Sequence, residues 1–154
     1  MREHDLFTII QRYLAPDLVK TYEDYDRIDA ITDQWHTHIE IKCRRRHYPD
    51  LLLEKKKYDA MLARAEACGG YDPVYICSTP AGAFWSYRLL HLPAFDWDRR
   101  LMPKSTDFAP GGKKEMIWKD VIMLPLSWAS RAYHLPAPGD TALRPFDAGS
   151  QAAA

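Results

Sequence analysis

The chain has little cysteine, no long apolar run and no signal-peptide pattern. Its 154 residues include 3 cysteines, at Cys43, Cys68 and Cys77, and these form no close CxxC pair. An odd and scattered set of cysteines is neither a disulfide framework nor a zinc site, so we expect reduced thiols. No apolar stretch approaches the roughly 20 residues of a membrane span, and the N-terminus lacks the apolar core of a signal peptide. We therefore expect a cytoplasmic protein without a membrane partner.

Several recurrent functional motifs are also missing. The sequence contains no internal repeat, no Gly-rich phosphate loop and no Ser/His/Asp arrangement. These absences argue against repeat proteins, P-loop nucleotide-binding proteins and serine hydrolases.

Net charge is absent as well, since 21 basic side chains balance 21 acidic ones, but the two signs are separated along the chain. Acidic residues predominate over 17–33, and basic residues predominate over 42–57, a segment we call the basic track. An acidic centre beside a basic track suits a metal site next to a phosphate-binding surface. On charge alone, the alternative is a solvated helix face beside an ordinary charged hairpin.

Residues 25–45 predict a β-hairpin that brings acids and a lysine together. Asp33-Gln34 predicts a tight turn, so a strand over 25–32 folds back beside a strand over 35–45. Asp29 on the first strand then lies near the acid and lysine of the second. Successive strand side chains point to opposite faces. One face of the second strand carries Ile39, Ile41 and Cys43, and the other carries His38, Glu40, Lys42 and Arg44.

This polar face is equipped for phosphodiester hydrolysis. Mg²⁺ (or Mn²⁺) binds hard oxygen ligands and retains several waters, so one or two carboxylates suffice. We expect Asp29 and Glu40 to be those carboxylates, with the backbone carbonyl of Ile41 as a third ligand. Lys42 would position the attacking water and offset developing charge. The alternative is a cross-strand salt bridge on an exposed sheet face, which contributes about 0–1 kcal/mol.

The remaining pattern predicts one domain over 1–135, of the α/β or α+β class, with a mixed central sheet flanked by helices. Apolar spacing predicts a helix over 3–14, ended by Ala15-Pro16, and a second helix from Leu51 to about Ala67. Strands are predicted over 74–78, 84–90 and 116–124, an irregular segment over 91–114, and a flexible Ala-, Pro- and Gly-rich tail over 136–154.

The order of these elements resembles the PD-(D/E)XK nuclease superfamily. A strand with Asp29 is followed by a strand with Glu40-Ile41-Lys42 and then by a helix, and the resemblance covers residues 1–78. Ile28 stands where the superfamily motif has its proline. The resemblance implies a restriction-endonuclease-like core in the order α-β-β-α-β with extra C-terminal strands. It also implies a Mg²⁺-dependent DNA endonuclease, of a phage type or similar to Holliday-junction resolvases by analogy.

The resemblance also implies further site residues. Many such nucleases carry a helix acid at the metal site, which makes Glu3 a candidate ligand, although acids also favour the first turn of any helix. Other acids near the strand could take that place, namely Glu23, Asp24 and Asp26. Some members carry Gln-X-X-X-Tyr on the second helix, where this chain has Glu54 and Tyr58. His38 shares the Glu40 face. For DNA phosphate contacts we expect Arg44, Arg45, Arg46 and Lys57, with Trp97 as a further DNA contact.

Two other functions stay open. The chain could be a non-catalytic nucleic-acid- or protein-binding module that keeps the nuclease fold, or a dimeric structural protein whose strand charges are incidental. Metal binding at Asp29 and Glu40 would distinguish the enzyme from the module. Cutting both strands of a duplex would favour a homodimer.

Overall fold

The computed structural model describes residues 1–21, 30–67, 69–104 and 115–147. These residues form two α-helices and nine strands in two sheets, so the fold is a mixed α+β arrangement, as the sequence predicted. In chain order the elements are α1 (Glu3–Tyr13), β1 (Val19–Lys20), β2 (Ala30–Thr32), β3 (Thr37–Cys43), β4 (Asp50–Glu54), α2 (Lys55–Ala67), β5 (Asp72–Thr79), β6 (Ala83–Arg88), β7 (Asp98–Pro103), β8 (Met116–Pro125) and β9 (Arg131–His134).

The larger sheet has six strands in the order β1-β2-β3-β5-β6-β9. Strands β3 and β5 are parallel, whereas every other neighbouring pair in this sheet is antiparallel. Helix α2 lies in the crossover between the parallel strands, because parallel neighbours cannot be joined by a tight turn. The smaller sheet has the order β4-β8-β7. Elements α1, β2, β3, α2 and β5 therefore supply the predicted α-β-β-α-β order.

The predicted hairpin forms between β2 and β3. Ala30 pairs with Ile39 and Thr32 pairs with Thr37. The turn spans four residues, closed by a hydrogen bond from the His36 N–H to the Asp33 carbonyl oxygen at 3.1 Å. Asp17 stabilises this turn, because its carboxylate accepts hydrogen bonds from the Gln34 N–H at 2.8 Å and from the Thr32 hydroxyl at 2.7 Å. The N-terminal half of the predicted first strand, including Asp29, lies outside the described residues.

Two predictions of secondary structure are wrong. The helix predicted from Leu51 begins only at Lys55, because Asp50–Glu54 forms strand β4 and pairs with β8. Leu51 and Leu53 both point into the core, a period of two that a strand satisfies. The irregular segment predicted over 91–114 contains strand β7, which also pairs with β8. Both strands form by pairing with β8, which lies far along the chain from β4 and is the next strand after β7.

Apolar side chains fill both faces of the six-stranded sheet. The α1-side core contains Leu6 and Ile10 of α1 packed on Ile39, Ile41 and neighbouring residues. The α2-side core contains, among others, Leu51, Leu53, Met61, Tyr75, Cys77, Trp85 and Tyr87. Strand alternation divides β5 between them, so the polar face of β3 lies on the α2 side.

Part of the segment predicted as a tail is described, up to Asp147. Within it the Phe146 ring packs against Trp85, with ring centroids 5.4 Å apart. In the described part of the chain, neither helix has the length and apolar character needed to cross a membrane.

Candidate active site

Glu40 is a buried carboxylate at the centre of the polar face of β3. It is 3% exposed and lies beside Tyr75 on the neighbouring parallel strand. Its Oε1 accepts a hydrogen bond from the Nζ of Lys57, which projects from the first turn of α2. A buried carboxylate is costly unless a cation compensates it, and Lys57 supplies that cation. The expectation of an exposed sheet face is therefore wrong at Glu40.

Lys42 lies two residues further along the same face and pairs with a different helix. Its Nζ donates to the Oε1 of Glu3 on α1 at 2.9 Å. Burial by itself would lower the pKa of Lys42, but the hydrogen bond and negative charge of Glu3 outweigh it and raise the pKa above 10.5. Lys42 is therefore an ammonium ion at neutral pH. Glu3 lies at this end of β3 as the partner of Lys42, and its role as a metal ligand stays a prediction.

These four side chains form a balanced set, which we call the four-charge group: Glu3, Glu40, Lys42 and Lys57. Two come from β3 and one from each helix, so the sheet and both helices must fold before the set exists. Two carboxylates can hold a hard cation, and two ammonium groups can bind phosphate oxygens. Each charge also has an internal counter-charge, so the group is stable without a ligand.

The predicted metal centre is described only in part. Asp29 lies outside the described residues, as do Glu23, Asp24 and Asp26. Within the described ranges, no group of three or more His, Cys, Asp or Glu side chains could hold a metal ion. Ile41 lies between Glu40 and Lys42 with its side chain in the α1-side core. The metal centre therefore stays a prediction.

His38 lies on the same face of β3 as Glu40 and is also buried. Its ring contacts Tyr71 edge-on, with centroids 4.7 Å apart. The Tyr71 hydroxyl in turn donates to Asp33 Oδ1 at 2.5 Å, at the hairpin turn. His38 thus packs between the site and the turn that sets the hairpin.

The basic track divides into internal and exposed residues. Arg44 is partly buried, and its Nη2 donates to the Leu52 carbonyl oxygen at 2.5 Å and the Tyr75 hydroxyl at 3.0 Å. Lys57 is bound to Glu40. Arg45 and Arg46 are exposed to solvent. DNA contact stays a prediction for all four, of which Arg45 and Arg46 are exposed and Arg44 and Lys57 are partly buried.

Three other predicted residues lie in different surroundings from those expected. Glu54 ends strand β4 and pairs with Lys119 at 2.9 Å, so the prediction that it shares a helix face with Tyr58 is wrong. Tyr58 and Trp97 instead contact each other, with ring centroids 5.3 Å apart. Trp97 is partly buried against the α2-side core and is not a free loop residue.

The role of Lys57 as the partner of Glu40 was missed by the sequence analysis, which assigned it to DNA. A signal was present, because Lys57, Met61 and Ala65 are spaced by four residues and share one helix face. Met61 and Ala65 are buried on α2, so Lys57 must point toward the sheet. A lysine on the inner face of a helix needs a buried acid, and Glu40 is the acid on the facing strand.

Comparisons with known proteins return likenesses among solved structures alone. No family model matches the chain, and no curated protein matches it. Among solved structures, the Holliday junction resolvase Hjc from the archaeal hyperthermophile Archaeoglobus fulgidus is 14% identical, with a TM-score of 0.47. The match covers 79% of this chain and 80% of the resolvase. At this identity and score, the likeness carries no argument about activity.

Proposed function

We propose that the chain is a metal-dependent endonuclease that hydrolyses DNA phosphodiester bonds at the four-charge group. The observation that carries this is the buried Glu40 on β3, with protonated Lys42 two residues along the same face. A carboxylate kept in a nearly water-free position binds a cation strongly, and an adjacent ammonium stabilises a phosphate.

Glu40 is the described part of the metal site in this proposal. Its carboxylate is an oxygen ligand of the kind that Mg²⁺ prefers, and it already lies against a positive charge, the ammonium of Lys57. Asp29, Glu40 and the backbone carbonyl of Ile41 would hold Mg²⁺ or Mn²⁺, with Glu3 as a further ligand. When bound, the metal would polarise the phosphate and lower the pKa of a water.

Lys42 acts on the substrate side in this proposal. Its raised pKa keeps it charged, so it orients the attacking water and the phosphate oxygens and does not serve as a general base at neutral pH. Glu3 holds the ammonium in place through the 2.9 Å contact. Lys57 holds the Glu40 carboxylate through its hydrogen bond and supplies a second positive charge beside the site.

A non-catalytic nucleic-acid-binding module is the second candidate. It is favoured by the charge balance of the four-charge group, in which each carboxylate already has a lysine partner. Such a group needs no metal for stability. The two candidates differ in whether Mn²⁺ binds at Glu40.

The test is plasmid nicking with Mg²⁺, with EDTA as the blank, for wild type and Glu40→Gln. The variant keeps the side-chain volume but loses the charge. Removing a residue that hydrogen-bonds to a metal ligand lowers activity by roughly 10–100-fold. Glu40 is itself a proposed ligand, so we expect the cleavage rate of the variant to fall by at least that factor. Calorimetry should show a matching loss of Mn²⁺ binding.

Glu115→Gln is the matched control, because Glu115 is exposed and pairs with Lys104 away from β3. It should cut as wild type does. Equal cleavage by Glu40→Gln and wild type would refute the nuclease assignment. DNA binding without cutting or Mn²⁺ binding in the wild type would favour the non-catalytic module.

A further inference from the structure

A cavity of about 430 Å³ lies beside the Glu3–Lys42 pair. The start of α1, the end of β3 and the turn after β5 line it. Three arginines contribute to its wall, namely Arg2, Arg44 and Arg45, together with Glu3, Cys43 and Pro80.

The cavity wall is strongly cationic. Glu3 is its only carboxylate among the described residues, and the ammonium of Lys42 neutralises it. Asp5 partly offsets Arg2 at 3.7 Å but does not line the cavity. Arg45 makes no ion pair with any described residue and is exposed. Among the described residues, the three arginines of the wall therefore outnumber the two carboxylates near it, Glu3 and Asp5, and Glu3 is already paired with Lys42.

One of the three arginines is fixed before any ligand arrives. Arg44 is held by the Leu52 carbonyl oxygen and the Tyr75 hydroxyl. Because both bonds are internal and the Nε is buried, Arg44 supplies positive charge beside the cavity, and the exposed guanidinium groups are those of Arg2 and Arg45. Arg2 lies just before α1 and Arg45 lies two residues after the end of β3, so the two reach the cavity from different elements.

We infer that this cavity binds a backbone phosphate of the substrate strand, adjacent to the phosphate that is attacked beside Lys42. Guanidinium groups match phosphate oxygens in charge and in fork geometry. Glu3 lines the cavity and also pairs with Lys42, so one DNA strand can contact both the cavity and Lys42. This inference rests on the proposed function, and it defines the substrate as a strand with at least two neighbouring phosphates.

The experiment compares two substrates for wild type and the Arg2→Ala/Arg45→Ala variant. One is a DNA oligonucleotide, and the other is bis(p-nitrophenyl) phosphate, a diester with a single phosphate. We expect KM for the oligonucleotide to rise about tenfold or more, as the loss of charge-assisted hydrogen bonds implies. Cleavage of the small diester should be unchanged, because it has no second phosphate.

Oligonucleotide affinity, measured by fluorescence polarisation in Ca²⁺ at several salt concentrations, tests the cavity without any cleavage. The slope of log affinity against log salt should become shallower by about 0.7–0.9 for each lost phosphate contact. Arg131→Ala is the control for charge alone, because Arg131 is exposed on β9, across the sheet from β3. Circular dichroism verifies that each variant is folded.

An unchanged oligonucleotide affinity and salt slope in the double variant would overturn the inference. A loss of small-diester cleavage would overturn it too, since the arginines would then act on the chemistry itself. If wild type binds the oligonucleotide but cuts neither substrate, the proposed nuclease function fails. The cavity is still supported in that case if the double variant binds more weakly than Arg131→Ala.

Discussion

At the scale of single residues, each charge on the polar face of β3 is balanced by a helix. Glu40 is paired with Lys57 of α2, and Lys42 is paired with Glu3 of α1. A strand face with such charges would be costly under a helix without partners. The pairs therefore balance the charges of β3, buried at Glu40 and partly exposed at Lys42, and they tie the positions of these side chains to the packing of both helices.

The raised pKa of Lys42 predicts a pH dependence for the Glu3–Lys42 pair. A pKa raised above 10.5 contributes stability that is fully present below 10.5 and is lost as the pH rises through the higher folded-state value. Glu3→Gln should lower the free energy of unfolding at neutral pH, within the roughly 0–1 kcal/mol of a partly exposed pair. The difference from wild type should shrink above pH 10.5, as followed by urea denaturation. A difference that is constant to pH 12 would contradict the pairing.

Arg44 is expected to act on stability through its internal hydrogen bonds. Arg44→Ala leaves the Leu52 carbonyl oxygen and the Tyr75 hydroxyl without this donor. The free energy of unfolding should fall by about 1–3 kcal/mol, measured by urea denaturation. Arg45→Ala is the comparison, since an exposed arginine should change it by no more than about 0.5 kcal/mol. Equal stability of the two variants would show that Arg44 has no structural role.

At the scale of elements, the Leu51-Leu52-Leu53 run shows how pairing overrides local pattern. Three successive leucines before a lysine-rich helix are good helix formers, so the helix prediction began at Leu51. In the structure β8 pairs with this segment residue by residue, and Leu51 and Leu53 enter the α2-side core. The helix begins where that pairing ends. Its first turn therefore presents Lys57 to Glu40.

Leu53→Ala tests whether β4 packs against the core. Leu53 is 1% exposed, so its truncation should lower the free energy of unfolding by about 2–5 kcal/mol. Leu90→Ala is the control, because Leu90 is 61% exposed and should change stability by no more than about 0.5 kcal/mol. Thermal denaturation measures both. A small effect at Leu53 would mean that β4 does not pack against the core.

At the scale of the whole molecule, the six-stranded sheet joins the two cores. Val74 and Ile76 belong to the α1-side core, and Tyr75 and Cys77 of the same strand belong to the α2-side core. Because β5 contributes side chains to both cores, unfolding of one core would expose one face of β5 and remove support from the other core. The two faces are therefore expected to unfold together.

Ile10→Ala and Met61→Ala test this cooperativity from opposite faces. Each side chain is fully buried, Ile10 in the α1-side core and Met61 in the α2-side core. Each change should lower the free energy of unfolding by about 2–5 kcal/mol and keep a single transition. Tryptophan fluorescence and far-ultraviolet circular dichroism should coincide for both variants. Two separated transitions would indicate two independent units.

The sequence by itself determined the local features of this protein. Alternation of apolar and polar residues predicted β3 and its polar face, and apolar spacing predicted α1 to within one residue. Both signals depend on neighbours close in the chain, which is why they can be read without a structure. The α+β class follows from the same local patterns, whereas the α-β-β-α-β order was an implication of the family resemblance.

Tertiary structure alone decided which charges meet. The assignment of Lys57 to Glu40 and of Glu3 to Lys42 joins residues 17 and 39 positions apart. Strand β4 likewise depends on β8, its partner far along the chain. Long-range pairing and the neutralisation of buried charge depend on the complete fold, because a partner that is distant in sequence leaves no local pattern.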